Sequence, residues 1–264
     1  MRLGDCFKRH PVPVTAFFRH SLVLTFALPA TVLEPLLPPG LMLDTHKGFG
    51  FLAIAMVQTE SLRPSFCPKI LGQDFFLSGY RVFARYKTKA GRTLRGLRIL
   101  RSDTNRRLME FFGNCLTHYN YRLAKVEVEE QGDRLEIQIR TPQAEADLHV
   151  IADLGHPPSA PPSGSPFADL REARLFAGPL PFTFDYEEQS GSMILIEGVR
   201  DDWKPKPIEV EVLQNTFFRQ APFVGSQPVL ANAFHVQNIS YRWKRGRVER
   251  LIEVVSRNGA DRPL

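Results

Sequence analysis

The sequence lacks the cysteine pattern of a disulfide framework or of a zinc site. Its 264 residues contain three cysteines, Cys6, Cys67 and Cys115, and no two of them form a C-x-x-C pair. Both kinds of site depend on several cysteines or histidines at short, fixed spacings. We therefore expect neither disulfide bridges nor a structural zinc ion. Scattered free cysteines are also typical of a cytoplasmic protein.

The sequence also lacks a long apolar segment. The longest candidate, residues 21–33, is interrupted by Pro29 and is shorter than the roughly 20 apolar residues that a membrane-spanning helix needs. The first thirteen residues are basic, but they have neither the continuous apolar region nor the small-residue cleavage site of a signal peptide. We expect a cytoplasmic protein that has no membrane partner.

Common catalytic and nucleotide-binding motifs are absent as well. The sequence contains no P-loop, no G-x-G-x-x-G, no H-E-x-x-H and no G-x-S-x-G. The phosphate-binding loops, zinc-protease helix and nucleophile elbow that these motifs mark are therefore not predicted. The seven histidines form no close pair along the chain. We expect no cofactor and no metal.

Positive charge is concentrated in two segments, residues 92–107 and 242–250, and the formal net charge is +6. Such segments favour an anionic partner, such as nucleic acid, lipid head groups or a charged metabolite, or they are solvated strand faces. No nucleic-acid recognition motif accompanies them. We therefore do not expect nucleic acid to be the partner.

The sequence is rich in short segments of β-strand pattern. Three hairpins are predicted, with turns at residues 89–91, 131–133 and 190–191. Helical patterns are few and short, and they lie at residues 31–40, 103–113 and 165–178. Further strands are predicted at residues 49–60, 146–154, 208–218, 233–243 and 247–255. The predicted fold class is mainly β with few short helices, in a curved antiparallel sheet that encloses a pocket.

We interpret residues 1–264 as a single domain. Residues 154–166 contain five prolines and two glycines, a composition that excludes a helix or a central strand. This segment is predicted to be an internal loop rather than a linker, because neither half of the chain has enough elements to close a sheet of its own.

Residues 80–86 predict a strand with two arginines on one face. Period-two alternation places Arg81, Phe83 and Arg85 together and turns Tyr80 and Val82 to the opposite side. Two arginines on one face could hold a carboxylate by bidentate hydrogen bonds, or they could be solvated. The sequence leaves both interpretations open.

The most polar cluster is NCLTHYNYR at residues 114–122, which we predict to be part of a strand over residues 115–128. The alternation places His118, Asn120 and Arg122 on one face, and the opposite face ends in charged residues typical of solvent exposure. The first face is therefore predicted to be buried. Buried polar groups need partners, either within an internal network or from an acidic or polar ligand in a cavity.

Several motifs resemble those of the YqjF-like group of uncharacterised bacterial proteins, which is related to acetoacetate decarboxylase. The resemblance rests on LLPPGLMLD at residues 36–44, GFGFLAIAMV at 48–57 and LRPSFCP at 62–68, with a weaker similarity in the C-terminal strands. It implies the decarboxylase-type fold, a curved antiparallel β-cone or barrel around a pocket.

The resemblance also bears on the reaction. The decarboxylase forms a Schiff base on a lysine that a second lysine activates, and this pair follows a tyrosine and a proline. Aligned on Tyr119, the two lysine positions fall on Tyr121 and Arg122. The resemblance thus implies a related pocket without Schiff-base chemistry. The resemblance selects Tyr121 as a pocket residue, whereas the strand alternation selects Asn120 and Arg122 on the opposite face. A β-bulge would reconcile these two assignments.

We predict a protein that binds a small organic molecule, anionic or carbonyl-bearing. One alternative is a lysine-independent lyase or hydrolase with His118 or Tyr121 as general acid or base. Another is a nucleic-acid-associated basic protein, and a homo-oligomer is compatible with the sequence. The candidate ligand-binding residues are Arg81, Arg85, His118, Tyr119, Asn120, Tyr121 and Arg122.

Borohydride reduction in the presence of a β-keto acid is predicted to label no lysine. Reduction traps a Schiff base as a stable adduct, and the lysine pair that would form one is absent from the aligned positions. Mass spectrometry should detect only unmodified protein, while a lysine-containing decarboxylase treated in parallel gains the adduct. A reduced lysine adduct on this chain would contradict the prediction.

Overall fold

Long strands dominate the computed structural model, which describes residues 8–200 and 203–251. β-branched and aromatic residues favour the extended conformation because their side chains pack well on a pleated surface. The described strands are β1 (Val14–Pro29), β2 (Leu41–Leu43), β3 (Phe49–Pro64), β4 (Gln73–Lys87), β5 (Thr93–Thr104), β6 (Tyr121–Leu123), β7 (Lys125–Gln131), β8 (Arg134–Arg140), β9 (Leu148–Asp153), β10 (Phe182–Glu187), β11 (Ser192–Arg200), β12 (Lys206–Pro207), β13 (Glu209–Asn215), β14 (Val229–Trp243) and β15 (Arg247–Arg250).

Seven of these strands form a closed ring. Their order is β14, β1, β3, β4, β5, β10 and β11, and β11 pairs back onto β14. Neighbours are antiparallel except for the parallel pair β5 and β10. Closure satisfies the backbone groups that an open sheet would expose at its edges. The mainly β fold with a curved sheet that the sequence predicted is confirmed.

A second sheet of four antiparallel strands, ordered β13, β9, β8 and β7, packs against the outside of the ring. Leu22 and Leu24 of β1 contact Leu135 and Ile137 of β8 in one apolar cluster. The ring strands β1, β3 and β4 therefore bury both faces, one against this second sheet and one in the barrel interior. Burial on both sides explains the continuous apolar character of residues 49–57.

Two of the three described helices lie at opposite ends of the ring. They are α1 (Ala30–Leu33), α2 (Arg107–Leu116) and α3 (Leu170–Ala177). The carboxylate of Asp169 caps α3 by accepting a hydrogen bond of 2.7 Å from the backbone N–H of Glu172. Ala173 and Ala177 of α3 pack on Phe51 and Phe83, so this helix plugs one end of the barrel. Helix α2 lies at the other end.

The three predicted hairpins are confirmed. Their turns contain Gly91, Gly132 and Gly191, each with a positive φ that favours glycine. The helices differ from prediction at their boundaries. Helix α2 starts four residues later than expected, because Asp103 and Thr104 still belong to β5. Helix α1 begins at Ala30, one residue before the predicted start.

The predicted strand over residues 115–128 is wrong. Helix α2 continues to Leu116, Asn120 has a φ of 53°, and only Tyr121–Leu123 pairs with β5 before β7 begins. A left-handed residue reverses the chain locally, so alternation does not extend through it. Asn120 and Arg122 are exposed and His118 is half-buried, whereas Tyr119 and Tyr121 are buried.

Residues 154–166 form a loop, as predicted, and ring strands come from both sides of it. The interpretation of residues 1–264 as one domain stays a prediction. The end of the predicted strand at residues 247–255 falls outside the described residues. Within the described ranges, no helix is long and apolar enough to cross a membrane. The cytoplasmic location stays a prediction.

Acidification is predicted to destabilise the fold partly through His235 on β14. Burial, together with the nearby positive groups of His20 and Lys206, lowers the pKa of His235 to about 4. The unfolded chain therefore binds a proton near pH 6.5 that the folded chain excludes, and the free energy of unfolding falls as pH drops from 6.5 towards 4. From pH 7 to 5 this contribution is on the order of 2 kcal/mol.

The measurement is urea unfolding at both pH values, for the wild type and for His235→Gln. Glutamine can keep a polar contact to the ring Nδ1 of His20, which lies 3.1 Å from Nε2 of His235. The variant should lose part of the pH dependence. An unchanged dependence would show that His235 does not carry it.

Candidate functional site

The barrel encloses a cavity of about 500 Å³. This lies within the range of roughly 300–1,000 Å³ that is usual for sites holding drug-sized ligands. At the end opposite α3, Leu71 of the β3–β4 loop and Leu108 and Phe112 of α2 border the cavity, and we call these three residues the mouth. The walls are largely apolar and include Val23, Ala53, Ala55, Val57, Leu97 and Ile99.

Arg81 of β4 places a cation in this apolar wall. Its strand neighbours in register are Ala53 of β3 and Ile99 of β5. Among residues 8–200 and 203–251 no acidic group pairs with Arg81, and its Nε is buried without a hydrogen-bond partner. An arginine at such a position normally has a partner, because an isolated charge loses its hydration. The charge of Arg81 is thus available to a ligand.

The other arginines of β4 and β5 are neutralised by acidic side chains. Nε of Arg85 and Nε of Arg95 contact the two carboxylate oxygens of Asp44, at 2.5 and 2.6 Å. Arg98 pairs with Asp185, and Nε of Arg101 lies 2.8 Å from Oδ1 of Asp103. Much of the basic segment at residues 92–107 therefore serves internal ion pairs.

Two backbone features place the guanidinium of Arg81. The β4–β5 register shifts between Tyr80 and Arg81, where Leu100 is the extra residue of a β-bulge, and bulges re-aim side chains. The side chain then lies back over Gly79. A Cβ added to Gly79 would be 2.9 Å from Nε and 3.0 Å from Nη2 of Arg81. The absence of a side chain at Gly79 therefore makes room for the guanidinium.

Tyrosines surround this guanidinium. Burial lowers the pKa of Arg81 from its ordinary value, and electrostatic interactions with Tyr241, Tyr121 and Tyr119 act in the opposite direction. Burial also raises the pKa of Tyr121 to about 12 and the pKa of Tyr119 well above its usual value. These hydroxyls stay protonated at neutral pH and can donate hydrogen bonds. That of Tyr119 is buried without a partner among the described residues.

The end of α2 holds Tyr121 in the cavity wall. The side-chain amide of Asn114 donates to the carbonyl oxygen of Tyr121 and accepts from its N–H, both at 2.9 Å. The ring of Tyr121 lies against Gly113, where an added Cβ would come within 2.3 Å of it. Asn114 and Gly113 thus explain how Tyr121, at the start of the short strand β6, projects into the cavity.

Of the seven predicted ligand-binding residues, Arg81, Tyr119 and Tyr121 border the cavity, and the other four lie outside its wall. Arg85 shares the inward face of β4, as alternation predicted, but pairs with Asp44. His118 binds Asp185 through Nδ1 at 2.9 Å. Asn120 is exposed, with its side-chain amide 3.4 Å from the carbonyl oxygen of Leu100. Arg122 is exposed, 3.8 Å from Glu145.

Sequence reasoning assigned β14 as a strand but did not select its cavity residues. Tyr241 and Trp243 border the cavity, with their ring centroids 4.4 Å apart, and Tyr241 stacks on Phe18 of β1. Their period-two spacing near the end of an apolar strand is the sequence signal that could have placed both rings on the cavity face. No group of three or more His, Cys, Asp or Glu in the described part of the chain is placed to hold a metal ion.

Comparisons with known proteins agree with the resemblance found in the sequence. Residues 15–240 match the model of DUF2071, described as "Uncharacterized conserved protein (COG2071)". Acetoacetate decarboxylase from Legionella pneumophila superposes with a TM-score of 0.59 at 13% identity, covering 90% of this chain and 88% of that one. No curated protein matches the chain.

Two further solved structures have similar folds. An acetoacetate decarboxylase-like enzyme from Sphingomonas wittichii RW1 has a TM-score of 0.60 at 12% identity, covering 92% of this chain and 94% of that one. The enduracididine biosynthesis enzyme MppR, solved in complex with pyruvate, has a TM-score of 0.59 at 10% identity and covers 90% of both chains. At these identities the likeness establishes the fold, and the predicted decarboxylase-like fold is confirmed.

Replacing Arg81 by Met is predicted to stabilise the ligand-free protein. The substitution removes a charge that the described residues do not neutralise, and exchanging a buried charge for an apolar side chain of similar length is often favourable, here by about 1 kcal/mol or more. Urea unfolding of the ligand-free protein measures the change. Arg140→Met is the control, since Arg140 is 52% exposed on the second sheet. A less stable Arg81→Met protein would mean that Arg81 serves the fold.

Proposed function

Since the chain belongs to the DUF2071 family of uncharacterized conserved proteins and has an acetoacetate decarboxylase-like fold, we propose that it binds a small organic acid inside the barrel without forming a Schiff base. The observation that carries the proposal is the unneutralised guanidinium of Arg81 in an apolar cavity. A carboxylate would supply the missing negative charge.

The electrostatics of the cavity favour such a ligand. A guanidinium presents parallel N–H donors that match the two oxygens of a carboxylate, and such charge-assisted hydrogen bonds are stronger than neutral ones. Apolar walls reduce the local screening and strengthen the pairing. The protonated hydroxyls of Tyr119 and Tyr121 would donate to the remaining lone pairs of the carboxylate or of an adjacent carbonyl oxygen.

The charge balance favours a monoanion. Arg63 and Arg200 also reach the cavity, but their guanidinium groups already donate to backbone carbonyls. Arg63 bonds the oxygens of Ser61 and Cys67, and Arg200 bonds that of Pro179 at 2.9 Å. Among the described residues, a second negative charge would have to displace one of these backbone contacts or enter a largely apolar space, where its desolvation would be costly.

The wall composition supports binding without a Schiff base. None of the cavity-lining residues in the described ranges is a lysine, and the positions aligned with the decarboxylase lysine pair hold Tyr121 and Arg122. MppR, which has a similar fold, was solved in complex with pyruvate. Pyruvate is therefore a reasonable first probe for this chain.

A lysine-independent reaction with Tyr121 as general acid is the second candidate function. One observation favours it, because a protonated hydroxyl with a pKa of about 12 borders the same cavity as Arg81. A hydroxyl with this pKa stays protonated at neutral pH, so it could donate a proton but would not act as a general base. His118 has less support as the acid or base, since its ring binds Asp185 and lies outside the cavity wall. Turnover of a bound acid would select this candidate over simple binding.

Arg81→Met is predicted to weaken binding of short monocarboxylates by at least about tenfold, because a hydrogen bond to a charged group contributes roughly 1.5–3 kcal/mol. Isothermal titration calorimetry with pyruvate and butyrate measures the change. Gly79→Ala keeps the charge but displaces the guanidinium, so it should weaken the same ligands.

Arg140→Met, on the outside of the second sheet, is the matched control and should bind like the wild type. Arg122→Met tests the rival assignment from the strand alternation. Equal binding by the wild type and Arg81→Met, or a loss with Arg122→Met alone, would refute the assignment of the site to Arg81.

A further inference from the structure

We propose that the ligand of Arg81 is an amphipathic monocarboxylate whose apolar tail extends from the guanidinium through the barrel to the mouth. This inference rests on the proposed function and adds the chemical class of the ligand. It follows from where Arg81 lies along the barrel, from the wall between Arg81 and the mouth, and from the surface around the mouth.

Arg81 lies between the plugged end of the barrel and the mouth. On the plug side the interior is packed with aromatic rings, since Phe51 lies 6.0 Å from Phe83 and 5.0 Å from Phe176 between ring centroids. Both Phe51 and Phe83 are almost completely buried. The free volume reaches Phe83 and the end of α3 on one side of Arg81, and it extends towards α2 and the mouth on the other.

The space between Arg81 and the mouth is longer than a short keto acid. The guanidinium lies over Gly79, and Phe75 of the same strand borders the cavity at its outer end. Four residues of β-strand span about 13 Å, and a tilt of 35–45° leaves roughly 10 Å along the barrel axis. A small acid such as pyruvate, paired with Arg81, would leave most of this length unoccupied.

The wall along this length is apolar. Leu77 of β4 pairs in register with Val57 of β3, and Met109 and Leu116 of α2 close the same space from above. Water beside such side chains has few hydrogen-bond partners, so displacing it with methylene groups is favourable. Each buried methylene should tighten binding up to about fourfold.

Apolar surface continues outside the mouth. Among the thirteen exposed large hydrophobic residues in the described ranges, six belong to the β3–β4 loop and α2. Besides the mouth residues these are Phe66, Ile70 and Phe111, with exposed fractions of 74%, 89% and 62%. Exposed apolar clusters of this kind often mark binding grooves. A tail that reaches the mouth would meet apolar surface there as well.

The test is a series of straight-chain acids, butyrate, hexanoate and octanoate, titrated into the full-length protein by calorimetry, with octanol as the head-group control. Binding should strengthen stepwise along the series, and Arg81→Met should weaken every acid. Octanol should bind at least tenfold more weakly than octanoate, because it has no charge to pair with the guanidinium.

Two variants locate the tail. Val57→Phe narrows the space beside Leu77 and should reduce octanoate binding at least tenfold while butyrate binding is kept. Val57 is buried, so if Val57→Phe misfolds, Phe112→Ser takes its place. Phe112 is 48% exposed, and its replacement should weaken the binding of octanoate alone. Leu175→Ser on α3, 72% exposed at the plugged end, is the control and should bind like the wild type.

The outcomes separate this inference from the proposed function. If short acids bind through Arg81 but affinity does not rise with chain length, the proposed function stands and the tail assignment is overturned. If octanol equals octanoate and Arg81→Met has no effect, the carboxylate assignment fails and both proposals fall. Lack of binding by every acid would also overturn both.

Discussion

The buried charge of Arg81 is the constraint on which the interpretation of this molecule depends. A guanidinium enclosed by apolar walls loses hydration free energy that the described residues do not return, since its Nε has no hydrogen-bond partner and no acidic side chain pairs with it. A bulge at Leu100 and the bare backbone of Gly79 hold the group in this unfavourable place. An uncompensated charge of this kind is characteristic of binding sites, where a ligand supplies the missing interactions.

The remaining arginines of β4 and β5 make the position of Arg81 distinctive. Asp44 neutralises Arg85 and Arg95, Asp185 neutralises Arg98, and Asp103 with Glu145 neutralises Arg101. Asp44, Asp103 and Asp185 are almost completely buried. Much of the basic segment thus contributes internal ion pairs, and among the arginines of β4 and β5 the charge without an acidic partner in the described residues is that of Arg81, which faces the cavity.

The two faces of the same ring strands have different surroundings. Outward-facing side chains of β1, β3 and β4 form the main core with the second sheet. Inward-facing side chains leave an empty space, closed at one end by α3 and its aromatic neighbours. The barrel can therefore keep a cavity of about 500 Å³, because the apolar burial that stabilises it lies largely elsewhere.

The sequence alone determined many of the strands, though not β1, and it determined the three hairpin turns and the mainly β fold class, because period-two patterns and turn glycines are local properties. It also placed Arg81 and Phe83 on one face of a strand, and the resemblance placed Tyr121 at the pocket. Alternation failed at residues 115–122, since the left-handed Asn120 and the end of α2 redirect the side chains.

Only the tertiary structure decided which polar residues border the cavity. Arg81 and Arg85 are equivalent in the strand pattern, but Asp44 from a distant segment reaches Arg85 and not Arg81. Tyr241 reaches the same cavity because the ring closes through β14. The pairing of charges and the closure of a barrel depend on contacts between residues far apart in the chain, which local sequence patterns do not encode.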